Sequence, residues 1–341
     1  MTSNKRVLIG LSGGVDSSVS AYLLKEQGYQ VEGVYLHLHD REGYFDDNIS
    51  RVKEVTDFLG IPLHTLDKRD EFYREVYKPF ADSYISGETP NPCAVCNREI
   101  KFGEMFRFAE SIGVDYLATG HYLKTDGEFI YEAKDSRKDQ SYFLFDIDKI
   151  ALKKLIFPLS NIEKSRVKEI AGSIPQLSKL STQKESTEIC FVENSYTDIL
   201  KEFTDIDREG KLFNSSGEVV GKHRGYMHYT IGKRRGFTLR VAHEPHYVKE
   251  IIPENNGVIV GKRDELYIDK ATLKNLNMFV DEVEFDAEVK LRYRAEATPC
   301  RVKIENSRAY IELKEPVFGL AKGQAGVFYR DGKLLGGGWI I

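Results

Sequence analysis

Short apolar runs alternate with amphipathic stretches over the first half of the chain. Arg6-Val-Leu-Ile-Gly-Leu11 predicts a buried strand. Ser17 to Gln27 predicts a helix with Val19, Tyr22 and Leu23 on one face, and Gly28 stands where a helix-ending glycine belongs. Further strands are predicted at Val31 to Leu36, Ile61 to Leu66 and Tyr116 to Thr119. Helices are predicted at Asn48 to Leu59, Glu71 to Ile85, Arg98 to Ile112 and across 148–172. Strands alternating with helices argue for an α/β fold, a parallel sheet with helices on both faces. The pattern changes after about residue 205, where glycine becomes frequent and short alternating segments replace helices. Gly257-Val-Ile-Val-Gly261, Ala287-Glu-Val-Lys-Leu-Arg-Tyr293 and Arg308-Ala-Tyr-Ile-Glu-Leu313 read as strands of two small β modules joined near residue 270. The expected organisation is an α/β domain over 1–205, a central β-rich domain over 206–270 and a C-terminal β-barrel domain over 271–341.

Composition narrows the class more than the chemistry. The 341 residues are 41% hydrophobic and 30% charged, which is globular and excludes a disordered chain. The net charge of −4 argues against a protein basic throughout, though not against a local basic patch. Four cysteines in this length are no secreted disulfide scaffold and fit a reducing cytosol. With no apolar run near the ~18 residues of a membrane span and no signal-peptide core, the chain reads as cytoplasmic, without a membrane partner.

The first strand ends in Gly10-Leu-Ser-Gly-Gly-Val-Asp-Ser-Ser18, with a helix directly after it. Strand, glycine turn and helix start make an anion site: Gly13 and Gly14 let the backbone approach, and the N–H groups and dipole favour phosphate. Ser12, Ser17 and Ser18 add hydroxyl donors. Asp16 is the odd member, because a carboxylate facing phosphates makes most sense through Mg²⁺. The spacing is neither GxxxxGK[ST] nor GxGxxG.

Two cysteine segments stand out. Thr89-Pro-Asn-Pro-Cys-Ala-Val-Cys-Asn-Arg-Glu-Ile-Lys-Phe102 predicts a rigid extended loop over Pro90 to Cys93, with Cys96 at the start of the next helix, where the dipole lowers a thiol pKa. Cys190 follows a polar stretch, Ser181 to Glu188, that reads as a flexible loop. Cys300 sits in β alternation and reads as an inert buried thiol. A structural zinc would need a second Cys or His pair, and no thioredoxin pattern surrounds Cys93 and Cys96. His37-Leu-His39 is not read as a metal pair, since no third ligand is evident.

SGGVDS resembles the pyrophosphate loop of the adenine-nucleotide α-hydrolase superfamily, whose members cleave ATP between its α and β phosphates. Together with Cys96 and Cys190 the chain resembles the bacterial tRNA-specific 2-thiouridylases over nearly its whole length. The motifs that carry this are Asn91 to Phe102, Ala118-Thr-Gly-His-Tyr122, Lys138-Asp-Gln-Ser-Tyr-Phe-Leu144, Glu188-Ile-Cys-Phe191, Tyr229-Thr-Ile-Gly-Lys-Arg-Arg-Gly236, Leu291-Arg-Tyr-Arg294 and Leu335-Gly-Gly-Gly338. Two positions depart from the family: Cys93 stands where many members carry Asp, and Lys233 where many carry Gln.

The resemblance implies ATP, with Mg²⁺, on Gly10, Leu11, Ser12, Gly13, Gly14, Val15, Asp16 and Ser17, with Leu36 and Gly120 beside the nucleotide. It implies adenylation of the wobble uridine C2 oxygen of tRNA. Sulfur then comes from a persulfide on Cys190, loaded by a sulfur-relay donor protein. Cys96 assists, AMP leaves, and Cys96 and Cys190 can end as a disulfide. It also implies that Asn91, Pro92 and Cys93 lie beside the target base, and that Lys138, Asp139, Gln140, Arg292 and Tyr293 contact tRNA. An alternative gives Cys93, Cys96 and Cys190 a [4Fe–4S] cluster that uses sulfide directly. Another is a different ATP-dependent adenylating enzyme of the superfamily, which would need neither Cys96 nor Cys190. A nucleotide sensor would need neither cysteine and no basic β region. Such a region exists between Glu218 and Glu244: it is free of acids and holds Lys222, Arg224, Lys233, Arg234, Arg235 and Arg240, with His223, His228, His243, Tyr226, Tyr229 and Phe237 interleaved.

Overall fold

The computed structural model describes residues 4–41, 43–183, 189–240 and 244–341. It divides into two compact units, Met1–Val76 with Cys93–Thr187 and Asp331–Leu335, and Tyr77–Pro92 with Glu188–Arg330 and Gly336–Ile341.

The first unit is built on a parallel sheet. Its strands are β1 (Arg6–Gly10), β2 (Gln30–His37), β3 (Leu63–Asp67), β4 (Tyr116–Ala118) and β5 (Leu155–Ile156), in the spatial order β3-β2-β1-β4-β5. Val7, Leu8 and Ile9 are fully buried, as a central strand covered on both faces requires. Helix α1 (Val15–Glu26) buries Val15, Val19, Ala21 and Leu24, while Tyr22 and Leu23, expected on its inner face, are only partly covered. The inner face is turned because α1 packs on both α2 (Tyr44–Leu59) and α3 (Lys164–Ser173).

The helix predicted across 148–172 is wrong in its first half. Lys149–Lys154 is a 3₁₀ stretch, and Leu155–Ile156 pairs with Leu117 and Ala118 as the outer strand. A short apolar run before Pro158 has no period of its own, so pattern alone does not tell strand from helix. The helix around Cys96 also starts earlier than expected. Pro92–Cys96 is already helical and runs through a π-helical stretch, Asn97–Glu104, into Met105–Ser111. Pro92 and Cys93 therefore belong to the first turn rather than an extended loop, since proline favours the first helical position. Gly103 lets the widened turn close: a Cβ there would lie 2.8 Å from the Arg98 carbonyl oxygen.

In the second unit, Gly210–Phe213, Val219–His223, Thr238–Leu239, Tyr247–Ile252 and Gly257–Gly261 form one five-stranded sheet. Six further strands, Tyr267–Met278, Glu284–Lys290, Thr298–Glu305, Arg308–Phe318, Ala325–Arg330 and Lys333–Ile340, form a barrel closed by pairing of the first with the last, Leu273 opposite Ile340. The join expected near residue 270 falls inside the strand Tyr267–Met278. Cys300 is fully buried in the barrel wall, and burial pushes its thiol up to about 12. Among the described residues no helix is long and apolar enough to cross a membrane.

Candidate active site

β1 lies between β2 and β4, so the strand order reverses there, and crevices at the carboxyl ends beside such a reversal are where open α/β sheets bind ligands. The loop after β1 occupies this position. Gly13 takes φ +76°, a conformation glycine adopts without strain, and its missing Cβ faces the Asn48 backbone and side-chain oxygens at 3.2 Å. Gly14 is the N-cap of α1 in extended conformation, without a side-chain cap. The first N–H groups of α1 are thus left for an anion. Ser17 Oγ donates to the Gly14 carbonyl at 3.1 Å and accepts from the Ser12 N–H at 3.2 Å, which braces the loop. Ser18, expected as a phosphate donor, is buried and donates to the Gly14 carbonyl at 2.9 Å, so its hydroxyl serves the helix.

Gly120, after β4, closes the other side. A Cβ there would sit 2.9 Å from the Ser17 nitrogen and 3.0 Å from the Asp16 carbonyl carbon. Only glycine lets the end of β4 approach the helix start this closely. Leu36, half-buried near the end of β2, pairs with Leu66.

Asp16 has a resident cation. Lys164 Nζ donates to both carboxylate oxygens at 2.6 Å, and Tyr122 Oη donates to one at 2.7 Å. Lys164 is buried at the first position of α3. The Asp135 carboxylate accepts from the Lys164 backbone N–H at 3.1 Å, and this helix-end bond and the nearby Arg137 hold its pKa below the ordinary value against the opposing effect of burial. Asp135 thereby fixes the helix end that presents Lys164. Sequence reasoning missed Lys164, Tyr122, Asp135 and Asn48. One signal was available for Lys164: a cation in a helix's first turn opposes the dipole and calls for a partner.

Cys96 is buried on the first unit, and Cys93 is half-buried one turn earlier. Cys96 is the fifth residue of its helical run, so the dipole argument for its ionisation loses its footing. Cys190 is exposed on the second unit. Its neighbour Phe191 is anchored against Tyr77 at 5.5 Å and Phe80 at 5.2 Å between ring centroids, which pins an exposed thiol to a fixed base. Residues 184–188 of the loop expected to be flexible lie outside the described residues. Among the described residues no three His, Cys, Asp or Glu side chains are arranged to hold a metal ion. His37 and His39 instead stack on Phe45 and Tyr44 at 4.2 and 4.6 Å.

Family models match in sequence along the chain: a tRNA methyl transferase HUP domain over 5–194, a tRNA methyl transferase PRC-barrel domain over 197–262 and an aminomethyltransferase beta-barrel domain over 268–340. The chain is 55% identical over 337 residues to the tRNA-specific 2-thiouridylase MnmA of Sulfurimonas denitrificans, covering 99% of each. It is 52% identical over 336 residues to that of Campylobacter jejuni strain RM1221, covering 98% of this chain and 99% of the relative. The chain belongs to the tRNA-specific 2-thiouridylase family. A solved 4-thiouridine synthetase–RNA complex with bound ATP superposes with TM-score 0.39 at 21% identity, over 55% of this chain and 45% of that one, and adds nothing to the assignment.

The residues expected to meet tRNA fall into two groups. Asp139 is buried and accepts from the Ala133 N–H at 2.9 Å and the Ser141 hydroxyl at 2.7 Å, so its carboxylate shapes its own loop. Gln140 brackets Tyr122, its side-chain oxygen accepting from the Tyr122 N–H at 3.0 Å. Arg292 donates to the Gly319 and Ile231 carbonyls. These three build local structure. Asn91 is buried, and the loop before it is held by Gln324, which donates to the Thr89 and Pro90 carbonyls at 3.0 and 2.9 Å. Lys138 and Tyr293 are half-buried and partly accessible, whereas Pro92 is buried in the first turn of its helix.

In the acid-free basic stretch two of the three aromatics are core, and Phe237 is half-buried. Tyr226 and Tyr229 are buried, and Tyr229 packs on His223 at 5.5 Å. His228 is buried against Asp207 at 2.8 Å, and Lys233 donates to the His228 carbonyl at 2.7 Å, with burial lowering its pKa. Lys222, Arg224, Arg234, Arg235 and Arg240 are exposed, so positive charge rather than ring stacking is what this stretch offers a phosphate backbone. His243 lies outside the described residues.

Proposed function

We propose that this protein uses ATP to place sulfur at C2 of the tRNA wobble uridine. The observation that carries the reading is the anion cradle of the first unit: the free start of α1, braced by Ser17 and held against Gly120, with Lys164 buried beside it. A site of that kind suits departing pyrophosphate. The uridine C2 oxygen attacks the α-phosphorus, the α–β phosphate bond breaks, and pyrophosphate leaves on the loop. The adenylated oxygen becomes a leaving group.

The terminal sulfur of a Cys190 persulfide, supplied by a sulfur-relay protein, bonds to C2, and the C2–O bond to AMP breaks. The Cys96 thiolate takes the remaining Cys190 sulfur as a disulfide, which a reductant opens before the next turnover. Exposure suits Cys190 to receiving sulfur from a partner. Methyl transfer, the wording of the family models, has no use for a pyrophosphate cradle or two thiols. Both Asp16 oxygens are taken by Lys164, so Mg²⁺ would arrive with ATP and no step is routed through a metal held by the protein. The reaction belongs in the cytoplasm, where ATP and tRNA meet.

The test incubates the protein with ATP, a persulfide source and bulk tRNA, and reads 2-thiouridine and AMP by mass spectrometry. Equal amounts of both are expected from the wild type, and 2-thiouridine is lost when Cys96→Ser or Cys190→Ser is used. AMP without a thiolated base, or a serine variant with wild-type 2-thiouridine, overturns the scheme.

A further inference from the structure

The segment Tyr77–Pro92 belongs to the second unit, and its last residues are fastened to the β modules there. Tyr226 Oη donates to the Ile85 carbonyl. Gly87 takes φ +80°, and a Cβ there would lie 2.8 Å from Pro253 Cγ. Two residues on, the Thr89 N–H donates to the Lys322 carbonyl at 2.8 Å. Gly323, at φ +84°, lets that turn of the barrel come close, since a Cβ on it would lie 3.0 Å from the Thr89 carbonyl oxygen.

The stretch Pro90-Asn91-Pro92 has one backbone N–H in three residues, because proline has none. It cannot knit itself into a ladder, so the carbonyls at its entry need donors from elsewhere. Half-buried Gln324 supplies them: its Nε2 donates to the Thr89 carbonyl at 3.0 Å and to the Pro90 carbonyl at 2.9 Å. Only the nitrogen end of the amide can donate, and its two protons serve two carbonyls. The Gln324 backbone is itself fixed, because its carbonyl accepts from the Ile340 N–H of the last barrel strand at 2.9 Å. One barrel side chain thus holds the entry to the helix Pro92–Cys96.

We propose that Gln324 is a positioning residue for the target uridine: by holding the Thr89 and Pro90 carbonyls it sets how Asn91 and Pro92, expected beside the base, enter their helix. The inference deepens the sulfur-transfer reading and rests on it for the identity of the base. Attack at C2 is sensitive to geometry, and a misplacement of about 1 Å costs about a hundredfold. Affinity for tRNA comes largely from phosphate contacts, so a shifted base lowers kcat more than it raises KM.

The experiment measures 2-thiouridine formation by the full chain with ATP, a persulfide source and an unmodified tRNA carrying a wobble uridine. Gln324→Met and Gln324→Glu keep the size of the side chain and, at neutral pH, remove its donors. Each should lower kcat by about tenfold or more, with KM for ATP and for tRNA within about twofold. Gln324→Lys carries donors only and should restore most of the rate, which a residue needed for packing alone would not do. Hydrogen exchange read by mass spectrometry should quicken in the peptide covering 86–92 in the Met and Glu variants and stay unchanged over β1 and α1, which separates a local release from misfolding. Wild-type kcat or wild-type exchange in Gln324→Met overturns the proposal, and so does a Gln324→Lys protein that loses as much as Gln324→Met. A wild type that makes no 2-thiouridine overturns the reading of function instead, while the exchange separately reports the hold of Gln324 on the segment.

Discussion

Gly120→Ala tests the geometry of the phosphate cradle with one methyl group. Gly120 has no positive φ among the backbone angles, so alanine brings no conformational strain and acts only through contact. The added Cβ would lie 2.9 Å from the Ser17 nitrogen, 3.0 Å from the Asp16 carbonyl carbon and 3.2 Å from Ser17 Cα. All three are backbone atoms, so no flexible side chain can give way. Optimal carbon contacts are about 3.5–4.0 Å, so the loop and the end of β4 must part by about half an ångström. Overpacking of this kind costs about 1–3 kcal/mol. The displaced groups are the N–H donors aimed at the ligand, so the cost falls on nucleotide binding, roughly 5- to 150-fold at about 1.4 kcal/mol per tenfold. Calorimetric titration with a non-hydrolysable ATP analogue reads it, beside a thermal melt. Gly172→Ala is the control: its Cβ would meet nothing nearer than Ser181 Oγ at 3.8 Å, and alanine in α3 should stabilise by roughly 0.5–1 kcal/mol without touching ATP affinity. A Gly120→Ala protein that binds the analogue within twofold of wild type would refute the close-approach argument.

Three further outcomes are expected. Lys164→Met leaves Asp16 with Tyr122 alone and removes a cation from the cradle; ATP affinity, titrated as above, should fall at least tenfold, whereas Lys164→Arg should lose less. Brief native alkylation at pH 8 should label exposed Cys190 and leave Cys300 untouched until the chain is unfolded, because Cys300 is fully buried with its thiol pushed up to about 12. His121 has a folded pKa well below the unfolded 6.5, so the unfolded chain takes up a proton first as pH falls. Its contribution is full above pH 6.5 and declines below it, at about 1.4 kcal/mol per pH unit until the folded pKa is reached. Urea unfolding at stepped pH should show this slope in wild type and a shallower one in His121→Gln.

The central sheet was legible because β1 to β4 each carry a compact apolar run bounded by turns, and the phosphate loop because its glycines and serines are contiguous. β5 was not, since two residues carry no period. The early start of the Cys96 helix was hidden by reading Pro90 and Pro92 alike, although one precedes a helix and the other opens it. Tyr226 and Tyr229 misled among the basic residues, because a ring that packs and a ring that stacks on a base look the same in sequence. Asp139 misled in the opposite direction: a buried carboxylate satisfied by its own loop reads as a surface acid.

What sequence spacing could not show is how far apart the groups that complete the cradle begin. Asp16 is met by Tyr122, 106 positions on, and by Lys164, 148 positions on. Gly120 closes on Ser17 over a similar span. None of these contacts exists until β4 has paired with β1 and α3 has packed on α1. The glycine-serine loop supplies donors, but their direction is set by partners from the far side of the fold. Asp16 also holds the lysine where no phosphate is present, which keeps a buried cation compensated in the substrate-free protein. The carboxylate in the phosphate loop thus keeps Lys164 aligned at the site where the anion arrives.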